Sequence, residues 1–477
     1  MSNMITREAL EQLDGKLDRW FRRSAGSPAF QIDQEMFTDP VLFELEMDYI
    51  FERNWVFVGH DSQLPKANDY LTTFVGRVPV VLTRTAAGEV KAFVNACTHR
   101  GARLCRQKRG NQKFFACGFH GWTFSSAGEL VEVAAEEEGG YPADFDKKKL
   151  GLHPVRLESY QGFLFASLSD DVVPLTEYLG DSKTFIDMLA QQSPEGKIEV
   201  LPGATRYKYH GNWKLQTENG VDGYHVPAVH ANYIMTTMRR ATGESSNKTK
   251  VGVASGRGPS RLTGGGVGTG GYLSFRNGHQ ALWLVSGAPD VRANYAMRPM
   301  IAAKYGEDRA RLLNETSRNL LVYPNVFVMD QAGMQIRIIR PISVAETEII
   351  SYSIAPVGEP AEVRELRIRQ FEDFMNASGM ATPDDLAEFN ECQTGFGDGG
   401  RFSDISRGAS RWAKGVGEHG RQIGIRDAVG SSEASADEGL FLALHESWLE
   451  RVKAAVANAA AELEGRESMV MRAKAAE

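Results

Sequence analysis

The chain has 477 residues, 42% of them hydrophobic, 9% aromatic and 24% charged, proportions that exclude collagen, coiled coil and wholesale disorder. Its 54 Lys and Arg stand against 61 Asp and Glu, a net charge of −7 that argues against nucleic acid as the main partner. No run approaches the roughly 18 consecutive apolar residues that a membrane helix needs.

In chain order, Leu10, Leu13, Leu17, Trp20 and Phe21 recur at helical spacing and predict an N-terminal helix. Asp39-Pro40, an N-cap followed by proline at the first helical position, predicts a second, carrying Leu42, Leu45, Met47 and Ile50. From about Trp55 to Leu168, short apolar runs split by turn residues predict a small all-β unit, with hairpin turns at Ala87-Gly88 and Ala127-Gly128. Beyond about residue 172 the patterns mix. Segments 323–330, 335–340 and 348–355 read as successive antiparallel strands, followed by a helix over about 360–378 and a closing helix from about 446. The stretch 243–271, rich in Gly and Ser, predicts a mobile loop. The first residues lack the apolar core of a signal peptide. Cys97, Cys105, Cys117 and Cys392 are too few for a disulfide framework, so a cytoplasmic setting is expected.

Cys97-Thr-His99 is followed downstream by Cys117-Gly-Phe-His120. A zinc finger usually groups its ligands as Cys-Cys and then His-His. Mixed pairs suit a [2Fe–2S] cluster of Rieske type, with both Cys on one iron and both His on the other. Each pair is expected at a hairpin tip, where Gly101, Gly118 and Gly121 admit backbone N–H groups to the cluster sulfurs. The competing readings are a structural zinc knuckle and two unrelated buried cysteines. Cys105 has no histidine partner and reads as a small buried hydrophobe. Arg100, Arg103, Arg106, Lys108, Arg109 and Lys113, with no acid among residues 97–128, form a basic rim that suits an acidic electron donor or is simply solvated.

The second informative stretch is Glu218-Asn-Gly-Val-Asp222-Gly-Tyr-His225-Val-Pro-Ala-Val-His230. On a helix, Asp222 and His225 share a face. Pro227 is expected to end or distort that helix and bring His230 back beside His225. Two neutral imidazoles and a carboxylate make the ligand set of non-haem Fe(II) oxygenases and leave positions for O₂. A lone histidine there would read as a core residue; two with an acid, in a chain already carrying the mixed Cys/His pairs, favour iron. The residues themselves do not choose among Asp373, Asp384, Asp385 and Glu388 as a more distant third ligand. Thr382 as N-cap, with Pro383 behind it, makes Asp384 and Asp385 ordinary first-turn residues.

The order Cys-X-His…Cys-X-X-His, then Asp-X-X-His-X₄-His, resembles the large (α) subunit of Rieske non-haem iron aromatic-ring-hydroxylating dioxygenases. The runs from Gly211 to His225 and from Arg369 to Leu386 resemble the benzoate, toluate and anthranilate dioxygenase group, and the likeness extends from about residue 37 to 415. The resemblance implies an α+β fold: an all-β Rieske domain, 53–172, inserted in a helix-grip-like catalytic domain, 173–477, with a curved antiparallel sheet, and N-terminal helices, 1–52, packing on it. It implies Cys97, His99, Cys117 and His120 as cluster ligands and selects Asp385 to join His225 and His230 on a mononuclear Fe(II). Asp222 becomes a catalytic residue that hydrogen-bonds His225 and, across a subunit boundary, His120 of a neighbouring subunit. The implied assembly is a homotrimer of α or α₃β₃ with a small β subunit.

The implied activity is that of an oxidoreductase of aromatic catabolism: NADH- and O₂-dependent cis-1,2-dihydroxylation of benzoate, a substituted benzoate or anthranilate. Electrons would come from NADH through a separate flavin and iron–sulfur reductase. The alternatives are a Rieske monooxygenase or demethylase acting on a related aromatic acid and, from another class, an electron-transfer Rieske protein without oxygenase chemistry; the intact Asp222, His225 and His230 argue against the carrier. Gly266-Val-Gly268-Thr-Gly-Gly271 matches G-x-G-x-x-G but neither follows a strand nor opens a helix, so no NAD site is expected in this chain. His60, His153, His210, His279, His419 and His445 read as structural or exposed. Arg337 and Arg340 sit in an apolar strand, where an internal acid or a substrate carboxylate suits them.

Overall fold

Short runs of β-branched and aromatic residues, each closed by a turn, build the unit Phe51–Leu175 from strands; Met1–Ile50 and Thr176–Glu477 together make a second unit. The structure, a computed structural model, describes residues 4–23, 29–138, 140–241, 269–331, 333–397 and 399–475. In the first unit a seven-stranded antiparallel sheet runs in the order Val56–His60, Phe163–Ser167, Pro154–Tyr160, Val90–Val94, Val78–Arg84, Asp69–Val75, Arg109–Asn111. A three-stranded sheet, Leu130–Glu132, Thr123–Ser125, Phe114–Ala116, completes it. Gly88 and Gly128, at φ 90° and 84°, take the left-handed conformation at the two turns. Cys97, Cys105 and Cys117 share a buried cluster with Val81, Phe93, Phe115 and Phe124. Asn95 brackets Cys105 through both of its backbone groups, and burial pushes the thiol up to about 12, so Cys105 is an inert hydrophobe.

The second unit holds a ten-stranded antiparallel sheet. Its central strands are Glu346–Pro356, Met334–Ser343, Val326–Asp330, Thr316–Val322, Gln280–Val285 and Gly270–Ser274, and Thr205–Tyr209 also pairs with Glu346–Pro356. The three strands expected at 323–330, 335–340 and 348–355 are among them, the last two longer than expected. The curled sheet packs on the final helix, Gly439–Ala475, which buries Leu440, Phe441, Leu444, Trp448, Val452 and Ala459. That helix starts before residue 446 because Leu440, Phe441 and Leu444 already continue its apolar stripe. The expected helix over 360–378 is Ala361–Gln370 followed by a wide turn, Phe371–Met375. The first helix, Arg7–Leu17, ends before Trp20 and Phe21; Phe21 instead opens a short strand. Asp39 caps the second as expected, accepting from Val41 N at 2.8 Å and Leu42 N at 3.0 Å. The loop expected at 243–271 lies outside the described residues up to 268, and the last two glycines of the G-x-G-x-x-G run begin the strand Gly270–Ser274. No helix among the described residues is long and apolar enough to cross a membrane.

Glu46, fully buried, knits three distant segments together. Its Oε1 accepts from Lys214 Nζ (2.6 Å) and Trp448 Nε1 (2.7 Å), and its Oε2 from Trp213 Nε1 (2.8 Å). Three donors, one of them charged, offset the desolvation of a carboxylate that would otherwise not be tolerated there.

Two buried histidines carry a pH dependence. His279 accepts from Tyr323 N (3.0 Å) and donates to Tyr178 O (2.8 Å), so its ring is neutral and fixed, and burial lowers it to about 4. His419 stacks on Trp283 at 3.9 Å; burial, aided by the charge of Arg318, lowers it to about 3. Both values lie below the ordinary 6.5, so the unfolded chain takes up these protons first. The stability they permit is present above pH 6.5 and is lost as pH falls toward the folded values, about 2 kcal/mol for each group between pH 7 and pH 5. Denaturant midpoints at the two pH values measure the loss. His419→Phe keeps the stacked shape and is expected to shrink the drop by His419's share; an unchanged drop would refute the assignment.

Candidate metal centres

Each Cys/His pair of the first unit is presented by a loop closed in the same way. Cys97 N donates to Ala102 O and Gly101 N to Cys97 O, both at 2.8 Å; Cys117 N donates to Trp122 O at 2.8 Å and Gly121 N to Cys117 O at 3.0 Å. Gly101 and Gly121, at φ 75° and 73°, make that closure possible. The second loop joins the paired strands Phe114–Ala116 and Thr123–Ser125, as a hairpin should. The first does not, because Val90–Val94 pairs with Val78–Arg84 and Pro154–Tyr160 while Arg109–Asn111 pairs with Asp69–Val75. Burial raises the Cys97 thiol, the backbone N–H groups of His99 and Arg100 oppose that rise, and the adjoining Cys117 thiol adds to it. The backbone donors at the Cys97 sulfur are those of His99 and Arg100, beside Gly101. The rings of His99 and His120 are 4.6 Å apart, and His99 stacks on Trp122 at 4.7 Å. Buried thiols on one side and outward imidazoles on the other suit a cluster whose two irons take different ligands.

In the second unit the run Trp213–Asn219 is helical, with Asn212 Oδ1 capping Lys214 N at 3.1 Å, but it stops before Asp222. Asp222 and His225 therefore lie in a turn and not on one helical face. Asp222 builds that turn, accepting from Tyr224 N (2.6 Å), His225 N (3.3 Å) and His225 Nδ1 (3.1 Å). Pro227 does not end a helix: it sits in the first turn of a new one, Val226–Val229, with His225 just before it and His230 just after it. The outcome expected of the proline, His230 beside His225, is reached by the opposite route. Gly220 lets the segment lie on the sheet, since a Cβ there would meet the Phe327 ring at 2.3 Å.

Asp385 lies in the first turn of Thr382–Gly395. Thr382 does not cap this helix; its hydroxyl donates to Met375 O at 3.1 Å. His225 Nε2, His230 Nε2 and Asp385 Oδ1 converge, with separations of 3.3 Å between the nitrogens and 3.5 and 3.3 Å to the oxygen. Among the described residues this is the His/Cys/acid group whose ligand atoms gather within 4.8 Å. Asp373, Asp384 and Glu388 do not join it. Burial opposes charge at both ends of the cluster. It would depress His225, but the hydrogen bond and charge of Asp222 and the charge of Asp385 raise it; it would raise Asp385, but His230, His225 and Arg337 hold it low. Once their Nε2 atoms are unprotonated, as metal ligation requires, two imidazoles with one carboxylate suit Fe(II). Asp222 fixes the tautomer that turns Nε2 inward.

Asn219, which sequence reasoning passed over, points its amide at the cluster, 3.2 Å from Asp385 Oδ1 and 3.4 Å from His225 Nε2. Its place three residues before Asp222 in the same polar run was the available signal. His60, His279, His419 and His445 are buried and His153 and His210 are exposed, and none of them is a member of the converging group.

Residues 54–160 match the Rieske [2Fe-2S] domain family, and residues 201–454 match the ring hydroxylating alpha subunit (catalytic domain) family. The chain is 49% identical to toluate 1,2-dioxygenase subunit alpha of Pseudomonas putida over 90% of its length and 92% of that protein's. It is 46% identical to the 2-halobenzoate 1,2-dioxygenase large subunit of Burkholderia cepacia, over 88% and 89%. Its fold matches naphthalene 1,2-dioxygenase with indole bound in the active site at a TM-score of 0.75 and 26% identity, covering 90% of this chain and 95% of that one.

Proposed function

The chain belongs to the large (α) subunits of Rieske aromatic-ring-hydroxylating dioxygenases, and from that premise we propose that it converts an aromatic carboxylate, O₂ and NADH-derived electrons into a cis-1,2-diol carboxylate. The observation that carries the reading is the convergence of His225, His230 and Asp385 in a chain about half identical to toluate 1,2-dioxygenase. In this reading residues 53–172 are the cluster domain, with Cys97, His99, Cys117 and His120 as ligands. Residues 173–477 are the catalytic domain, on which the helices of 1–52 pack, and His225, His230 and Asp385 hold the iron. The mononuclear iron supplies O₂ activation and the [2Fe–2S] cluster supplies relayed electrons. The chain's own residues orient the iron ligands, exclude water and select the ring. Asp222 holds the His225 tautomer and bridges to His120 of a neighbouring subunit, which requires an oligomer, in this reading a trimer of α with or without a small β subunit.

Electrons reach the cluster from NADH through a separate flavin reductase. Arg100, Arg103, Arg106, Arg109 and Lys113 lie at or near the surface, and none is in an ion pair among the described residues, which suits an acidic donor. A cytoplasmic setting fits free thiols and soluble electron donors.

Substrate profiling with the reductase present tests the reading. Benzoate or a simple benzoate is expected to support NADH-coupled O₂ uptake and to yield a cis-diol carboxylate containing both atoms of ¹⁸O₂; a monooxygenase would incorporate one. An ortho-amino substrate is expected to lose ammonia and CO₂ and yield catechol. A site for a buried carboxylate must offer it a polar end, which naphthalene would leave unpaired at a cost of roughly 1–3 kcal/mol or about 5- to 150-fold in kcat/KM. Were naphthalene turned over better than every benzoate tested, the carboxylate assignment would fall while the dioxygenase chemistry stood.

A further inference from the structure

Along Met334–Ser343, alternate residues face opposite sides of the sheet, so Arg337 and Arg340 part company. Arg340 pairs with Glu348 at 3.0 Å. Arg337 lies opposite Phe327, the ring beneath Gly220, and so faces the cluster side. It is 4% exposed, yet no carboxylate lies within salt-bridge distance of it among the described residues. Its contacts are Gln216 Oε1 at 3.5 Å and Met375 Sδ at 3.8 Å, both at the outer limit of hydrogen bonding, and its Nε has no partner.

The other buried arginines of this unit are treated differently. Arg292 bonds Asp330 at 2.9 Å, Arg367 bonds Glu359 at 2.8 Å, and Arg318 bonds the carbonyls of Thr316 and Leu312. A buried guanidinium without an anion is costly. Arg318 also lacks an acid and has an unpartnered Nε, but it donates to two carbonyls at hydrogen-bonding distance, whereas both contacts of Arg337 are long. Arg337 is also close to the chemistry. Gln216 links it to Asn219, which contacts Asp385 at 3.2 Å, and its charge reaches both Asp385 and the buried Tyr207 hydroxyl.

We propose that Arg337 is the carboxylate clamp of the substrate site. Its guanidinium fork receives the two oxygens of the aromatic carboxylate and holds the ring beside the His225/His230/Asp385 cluster. Two parallel charge-assisted hydrogen bonds match a planar carboxylate in a way that a lysine cannot, and the anion supplies the missing partner. The inference rests on the proposed function and names the residue that makes the substrate class an acid and not a neutral ring.

Equilibrium dialysis of benzoate and of its neutral isostere benzamide against the complete oxygenase tests this, with mononuclear iron and the cluster spectrum measured on the same samples. Wild type is expected to prefer benzoate at least about tenfold. Arg337→Met is expected to weaken benzoate about 100-fold or more while leaving benzamide within about threefold, and Arg337→Lys to fall between. Benzoate affinity within about threefold of wild type in Arg337→Met, or equal weakening of both ligands, overturns the clamp. Should Arg337→Met fail to fold, Arg337→Lys decides alone: undiminished preference for benzoate over benzamide overturns it. Failure of the function itself shows elsewhere, in a wild-type enzyme that neither binds nor oxidises any benzoate.

Discussion

Asp222→Asn is expected to leave both metal centres largely loaded and to cut turnover at least about 100-fold. The substitution preserves size and keeps one oxygen to cap Tyr224 N, so the turn should survive. It removes the charge that faces His225 Nδ1 at 3.1 Å and that raises the imidazole against its own burial. An amide can present its NH₂ to Nδ1 as readily as its oxygen, so the tautomer with Nε2 free for the metal is no longer enforced. The same carboxylate is the proposed link to a neighbouring subunit's His120, so a single exchange weakens ligand orientation and electron entry together. Iron analysis, the cluster spectrum and NADH-coupled O₂ uptake on one sample separate the outcomes. Near-normal turnover by Asp222→Asn would remove the bridging role.

A paired substitution separates the two centres. Cys117→Ser is expected to abolish the cluster's visible and paramagnetic signature and all reductase-driven turnover, because a serine hydroxyl is a poor iron ligand and Cys97 and Cys117 are the only thiols of the two loops that face one another. His225→Ala is expected to spare that signature and empty the mononuclear site, since one of three converging atoms is lost. The wild-type expectation is three irons per chain, two in the cluster and one mononuclear. Stoichiometric zinc without visible absorbance would end the iron reading altogether.

The residues show much of this architecture in advance, and where they do not the reason is physical. Both loops place a glycine four residues after the cysteine, Gly101 and Gly121, and that shared spacing is the visible trace of their common closure. Spacing within 218–230 is legible as a ligand set, but its conformation is not. Helical periodicity suggested one face for Asp222 and His225, whereas Gly220 against Phe327 and the Asp222 turn favour a bend. Asp385 shows no local signal, because a first-turn aspartate has the same chemistry whether it caps a helix or meets a metal; only the tertiary approach to His225 and His230 distinguishes it from Asp384. Arg337 and Arg340 look alike in composition and are separated by strand parity, which a reader can count, and by the presence of Glu348, which pairing alone reveals.

The bonds to Glu46 carry a consequence for how the protein is made. The unit that contains the cluster loops is contiguous, so it can close on the ribosome soon after residue 175 emerges. The other unit is split by it and cannot complete the Glu46 hub until Trp448, in the middle of the final helix's buried stretch, has been synthesised. At about 5–20 residues per second that is a lag of roughly 10–60 s, during which the Glu46 hub that holds Trp213 and Lys214 lacks its third donor. The nascent chain therefore acquires a home for iron–sulfur long before it acquires one for mononuclear iron, and cells must keep the half-made catalytic unit from aggregating while its N-terminal helices wait for the last strand and helix to arrive.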